Sequence, residues 1–370
     1  MPHLYLKGNR MSFTDRPAVH VRGTEDLLAL IPFLLGFHPD TSMVLLAVDN
    51  GSGGIAMAAR LDLPTAEQPL GPVRAALGLV VAKLTALGGI SVVLAGYGPA
   101  DRVEPMVTAA AEALHASGIP IREAMRVAGG RFWRLRATDP TPDRAARSPD
   151  GVAFEPATSP ATAAAVYAGL VALPDREALA ATLAPATGAA RDGMVTATVA
   201  ACALLTELLD AARTDTADTD SADPAAVGDQ PDAVLDTPIG HALQAAARTY
   251  LTQIQDSYRA GQPVDDAPAA TLTVLLELPS LWEFAARRTN AEAWQTAMWS
   301  DLVRRAEPPF TAAAATLLAL CALQAGHGAL ASMAVDRALS ADPQDRFAQL
   351  LHRAIAAGID PDTVTALLTD

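Results

Sequence analysis

Ser42-Met43-Val44-Leu45-Leu46-Ala47-Val48 runs into Asp49-Asn50-Gly51-Ser52-Gly53-Gly54 and then into Ile55 to Leu61. The first run is apolar without alternation, the pattern of a strand covered on both faces and central in its sheet. The second is rich in residues that accept positive φ, as a tight hairpin connection requires. Two antiparallel strands are therefore predicted. Outward from them, Pro72 to Leu87 reads as a helix closed by Gly88-Gly89, and Ile90 to Ala95 as another buried strand, completing a β-α-β crossover. Gly96-Tyr97-Gly98-Pro99 leads into a helix from Val103 to Ser117, ended by Gly118. A last hairpin has arms Ile121 to Val127 and Arg131 to Arg136. On the other side, a short β pattern at Ala18 to Val21 precedes Thr24, read as an N-cap with Glu25 and Asp26 in the first turn, where the helix dipole favours acids. Pro32 predicts a kink or restart before Gly36.

Residues 1–150 thus read as a mixed α/β domain, a sheet with flanking helices. Asp139 to Pro160 shifts to proline, aspartate, serine and arginine, a boundary loop. Helical patterns resume at Ala161 to Leu173, capped by Ser159, and at Asp192 to Ala212, so 151–209 reads as a helical extension of the first domain. Residues 210–236 hold eight aspartates and one arginine, a net −7, with no aromatic residue. So little apolar surface cannot offset the entropy of ordering, and the segment is expected to be a disordered acidic linker. Carboxylates are also hard-cation ligands, but no EF-hand spacing is present. Residues 237–370 read as all-helical. Within them Thr311 to Pro343 suggests a helical hairpin, with Leu317, Leu318 and Cys321 facing Ala331, Val335 and Ala338, similar to one tetratricopeptide unit without its large aromatics.

The 370 residues carry 27 basic and 41 acidic side chains, a formal charge of −14, with 51% hydrophobic and 18% charged residues. That length and apolar content suit two folded domains. The negative balance opposes the cationic footprint of nucleic-acid binding or anionic membrane docking, so neither partner is expected. Lysine occurs only at Lys7 and Lys83, and the thinly spread arginines read as coding bias rather than a recognition surface. Cys202 and Cys321 each sit in alanine-rich apolar stretches and behave as small hydrophobes, not as a disulfide or zinc framework. No secretory signal is visible, and the unbroken apolar runs fall short of the ~20 residues of a spanning helix. A cytoplasmic protein is expected.

Leu34-Leu35-Gly36-Phe37-His38-Pro39-Asp40-Thr41-Ser42, preceded by Glu25-Asp26-Leu27-Leu28, resembles the opening motif of an uncharacterised actinobacterial family of unknown function. Further matches follow in order at Arg60 to Pro64, Leu94 to Pro99, Ala113 to Ile119, Gly130 to Trp133 and Ala338 to Pro343, nearly the whole chain. Where relatives carry a cysteine cluster ending in Cys-Cys-Pro-x-x-Gly, this chain has Arg147-Ser148-Pro149-Asp150-Gly151. The resemblance implies the fold and brings no activity.

Two loops are candidates for chemistry. His38, Asp40, Thr41 and Ser42 precede a central strand, where sites tend to lie, and supply a base, an orienting acid and a nucleophile. The same run also reads as a plain turn anchored by Phe37. Gly96, Tyr97 and Gly98 would let a ligand approach backbone at a helix start, yet lack the Gly-Lys-Ser/Thr ending of a phosphate loop and have Asp101 close by. Arg131 and Trp133 alternate with Phe132 and face either a cleft or the core. The histidines show no paired metal-ligand spacing, and neither metal nor cofactor is expected. Trp282, Trp294 and Trp299, with Phe284, are expected to fill the helical core. The leading expectation is a non-enzymatic interaction or regulatory protein with a protein partner or self-association. The alternative is an enzyme or small-ligand sensor using His38 to Ser42 with Gly96 to Gly98.

Overall fold

The computed structural model describes residues 21–65, 70–135, 150–217, 235, 237–357 and 363–364. It divides into two compact units, Met1–Leu179 and Ala180–Asp370.

The first unit is built on one six-stranded sheet of order β2-β1-β3-β4-β5-β6. β1 (Ser42–Asp49) lies antiparallel between β2 (Ile55–Asp62) and β3 (Ile90–Tyr97), and β3 is parallel to β4 (Ile121–Ala128). β5 (Arg131–Arg134) and the short β6 (Val152–Ala153) extend the edge antiparallel. As its composition requires, β1 is fully buried from Ser42 to Val48. Each fully buried Val, Leu or Met contributes roughly 1.5–3 kcal/mol of transfer free energy, which is why this run takes the centre. Its hairpin is shaped by the Asp49 carboxylate, which accepts bonds from the Gly51 and Ser52 amides at 3.0 and 2.5 Å, while Gly53 supplies φ 71°.

One face of the sheet presents Met43, Leu45, Ala47, Val92, Leu94 and Ala124 to α2 (Leu70–Leu87) and α3 (Ala100–Ala116). The opposite face carries Ser42, Val44 and Leu46. α1 (Thr24–Leu35) and the turn after it lie on that face, through Thr24 Oγ1 on the Glu123 carboxylate and Arg60 over the Phe37 ring. α4 (Pro160–Tyr167) packs on α1, and its Ser159 cap accepts from the Ala161 amide at 3.1 Å, as the sequence predicts.

Several expectations are corrected. Pro32 is accommodated inside a continuous α1. Gly23, not Thr24, takes the N-cap position, because the Thr24 hydroxyl is engaged by Glu123 across the fold. The helical pattern at 161–173 ends at Tyr167, where Gly169 takes φ 77°. The unit boundary falls after Leu179, so of the segment 151–209 the first part, with β6 and α4, stays with the sheet as expected, and only the rest departs from it. Its last part belongs to α6 (Ala189–Ala217), which packs on helices of the second unit. Residues 210–217, expected to open a disordered linker, continue that helix. The remaining linker positions, except Leu235, lie outside the described residues, as do Ala18 to His20 of the first β pattern.

The second unit is helical throughout its described residues. α5 (Arg176–Ala181) bridges the boundary, and after α6 come α7 (Pro238–Arg259), α8 (Asp266–Leu275), α9 (Pro279–Arg288), α10 (Ala293–Arg305), α11 (Thr311–Gln324), α12 (Gly328–Ala341) and α13 (Arg346–Ala357). α11 and α12 form the expected hairpin, with Leu317, Leu318, Cys321, Ala331, Val335 and Ala338 all sealed from solvent. Trp299 and Trp282 are buried; the Trp282 indole donates to Thr316 Oγ1 at 3.1 Å and stacks on Phe347. Trp294 and Phe284 are only half-buried, each beside an arginine, Arg259 and Arg288 respectively. α6 is seated by Gly193, where a Cβ would lie 2.5 Å from the Asp266 carboxylate, and by Arg191, which grips Glu307 with two bonds of 2.8 and 2.9 Å. Asp266 and Asp301 are themselves held by Arg305, whose guanidinium also donates to the Val264 carbonyl at 2.8 Å.

Candidate functional site

The two candidate loops meet. Strand register pairs Ser42 with Tyr97 and Met43 with Gly96, so the start of β1 and the end of β3 are neighbours. A Cβ placed on Gly98 would come within 3.9 Å of Thr41 Cα. Thr41 itself sits at φ 43°, a left-handed conformation uncommon for a β-branched residue and a small store of strain. Its amide donates to Asp40 Oδ1 at 2.8 Å, and its carbonyl accepts from the Leu63 amide at 2.9 Å.

The three side chains offered for nucleophilic chemistry are not assembled for it. His38 and Asp40 are exposed, the Asp40 carboxylate is spent on its own turn, and Ser42 is buried with an Oγ that has no hydrogen-bond partner. A nucleophile needs a base within hydrogen-bond reach, and no bond joins His38 to Ser42 among the described residues. The His38 amide is used structurally, donating to the Leu173 carbonyl at 2.9 Å.

The glycine loop serves packing and turning. A Cβ on Gly96 would lie 2.2 Å from Val103 Cγ1, so this glycine lets α3 close on β3. Gly98 takes φ 138°, its amide donates to the Val127 carbonyl, and its own carbonyl accepts from Arg126 Nη1 at 3.4 Å. That amide is therefore unavailable to a phosphate. Arg102, in the first turn of α3, donates instead to the Leu63 and Pro64 carbonyls at 2.8 and 2.9 Å. Tyr97 is the exception. Its ring lies in the core, burial pushes the phenol well above its ordinary pKa, and the hydroxyl has no partner.

Arg131 and Trp133 form the far edge. Arg131 donates to the Asp150 and Gly151 carbonyls at 2.5 and 3.3 Å, drawing the chain around 150 onto β5. Trp133 lies between the Arg126 guanidinium, 3.6 Å from its ring centroid, and the backbone of Gly151. Arg60, Arg102 and Arg126 escape sequence reasoning, since thinly spread arginines carry no pattern. Only the Arg60-Leu61-Asp62 spacing, which places two charges on one strand face, was there to find.

Among the described residues no group of three or more His, Cys, Asp or Glu side chains is arranged to hold a metal. Cys321 is buried, its sulfur near Thr296 Oγ1 and the Asn290 carbonyl at 3.2 and 3.1 Å, and burial pushes the thiol up to about 11. By contrast, α6 has an unbroken helical stretch, Ala189–Thr214, long and apolar enough to cross a membrane and mostly unburied. Counting uninterrupted apolar runs misses it, because threonines interleave the valines and leucines.

A mixed sheet layered with helices, followed by a helical half that contains a helical hairpin, defines a two-unit α/β-plus-α protein. The chain belongs to the family described as domain of unknown function DUF4192, whose model matches residues 25–362. Neither a curated relative nor a solved structure matches it.

Proposed function

We propose that the protein is a non-enzymatic interaction protein of the cytoplasm that self-associates through α6. One observation carries the reading: α6 buries one seam, through Met194, Thr198, Ala201 and Ala212, and leaves large apolar side chains on both flanks, with Val199 66% and Leu204 52% exposed. On one flank Val195, Val199, Cys202, Thr206 and Leu209 follow at intervals of four, three, four and three, the spacing of a two-helix seam. Residues 193–206 carry no charge, so only an equally uncharged surface satisfies this flank without stranding a charge. A second α6 is such a surface. Beyond it the chain turns strongly acidic, with net −7 over 210–236. A parallel pair would press two such segments together, whereas an antiparallel pair centred on Cys202 sets the two Asp210 positions about 24 Å apart along the axis, two to three Debye lengths. Antiparallel pairing also brings the two Cys202 residues toward the two-fold axis.

Light scattering of the full chain over a concentration series tests this, together with mild copper-phenanthroline oxidation. A dimer with a Cys202–Cys202 crosslink is expected. Val199→Glu is expected to give a monomer of unchanged circular dichroism. A native chain monomeric at every concentration, or a Val199→Glu chain of unchanged mass, refutes the reading. Partition of monomer onto phosphatidylcholine vesicles would assign the flank to lipid and refute it equally.

A further inference from the structure

We propose that the end row of the sheet is a buried binding site for a small carboxylate, held by Ser42, Tyr97 and Arg60. Register places Asp62, Ser42, Tyr97 and Val127 side by side on β2, β1, β3 and β4, so their side chains leave one face of the sheet. Arg60 lies on the same face one row back, opposite Val44. Of the buried side-chain atoms in this corner, Ser42 Oγ, Tyr97 OH and Arg60 Nε have no hydrogen-bond partner. Buried polar groups are nearly always satisfied, so three unmet donors on adjoining strands ask for an acceptor that the protein does not supply. The place is chemically apt. It lies at the carboxyl ends of the parallel pair β3 and β4, where open α/β sheets take their ligands.

The chemistry of the donors selects the ligand. The guanidinium N–H can only donate and the two hydroxyls can donate as well as accept, so a guest that accepts from all three satisfies the row. Arg60 supplies positive charge, but one of its nitrogens already lies 2.5 Å from Asp62 Oδ1. A dianion would meet that carboxylate, while a monoanion with two oxygens can share the guanidinium. The route in is the turn from His38 to Thr41. It is exposed at His38 and Asp40 and strained at Thr41, and it covers the row from the side where β1 begins.

Hydrogen exchange of the full chain, followed in peptides covering residues 37–48 and 90–98, tests the site with acetate against chloride at constant ionic strength. Acetate is expected to slow exchange saturably in both peptides. Tyr97→Phe and Ser42→Ala remove buried groups that make no bond, so both are expected to exchange no faster than the native chain in chloride and to need at least roughly tenfold more acetate for the same protection. No difference between acetate and chloride in the native chain overturns the proposal. So does undiminished acetate protection in both variants. Protection by inorganic phosphate and not by acetate would overturn the assignment to a carboxylate. The outcome is independent of α6, which belongs to the other unit.

Discussion

Replacing Gly96 by alanine probes how β3 and α3 are joined. The new Cβ would lie 2.2 Å from one Val103 methyl and 3.2 Å from the other, against an ordinary contact of 3.4–4 Å, so one of the two elements must move by more than 1 Å. Val103 is wholly buried and β-branched, and its neighbours Met106, Val107 and Leu94 are equally sealed, which leaves no rotamer to escape into. Overpacking of this kind costs about 1–3 kcal/mol, and the depth of the overlap puts Gly96→Ala at the upper end. Val103→Ala alone removes two methyls from a closed core and costs about 2 kcal/mol. Together the two changes should nearly cancel in their interaction. The alanine at 96 then occupies space vacated by valine, and the double variant should be no less stable than Val103→Ala, a coupling of about 2–3 kcal/mol. Urea-dependent hydrogen exchange in peptides covering 90–116 of the full chain reports this unit alone. Additive costs in the double variant would refute the idea that Gly96 exists for close approach.

Cys321 should resist iodoacetamide at pH 8, because its thiol is raised to about 11 and its sulfur is enclosed, and should react only when urea opens the helical unit; labelling in the native protein, read by peptide mass spectrometry, would contradict this. Asp345 is held above its ordinary pKa by burial, reinforced by Asp342 and opposed by the bond it accepts from the Ala348 amide. A raised carboxyl favours the fold while protonated, so that contribution is full below the unfolded pKa of about 3.9 and is lost as pH rises through the folded one. Asp345→Asn keeps the cap and discards the charge. It should therefore raise the urea midpoint of the helical unit at neutral pH by an amount that shrinks toward about pH 3.5, and a gain independent of pH would contradict the reasoning.

The sheet was legible because its signals are local. An unalternating apolar heptamer, a glycine-rich turn and the Gly88-Gly89 and Gly118 stops fix β1 to β4 and their helices within a few residues of where they lie. The order of strands, with β1 between β2 and β3, depends on long-range pairing that no local pattern encodes. The end of the first unit was missed for a related reason. The helical pattern at Asp192 to Ala212 is amphipathic whichever unit it packs on, and Arg191 with Glu307 and Gly193 with Asp266 decide the matter from far along the chain. At the candidate site, sequence named Ser42 and Tyr97 but could not show that they are register partners. It also grouped His38 and Asp40 with Ser42, although one residue of strand entry separates exposed turn from sealed core. Arg60 was visible only as a letter in a strand.

The position of β1 bears on how the chain is made. It acquires β2 as soon as the hairpin emerges, but its other edge waits for β3, more than forty residues later. Until residue 97 has left the ribosome, a heptamer without a single charge offers open amides and carbonyls along one side. Fragments that stop between Asp62 and Ile90 should accordingly be caught by chaperones or precipitate, whereas those reaching Ala128 can close the strand and stay in solution.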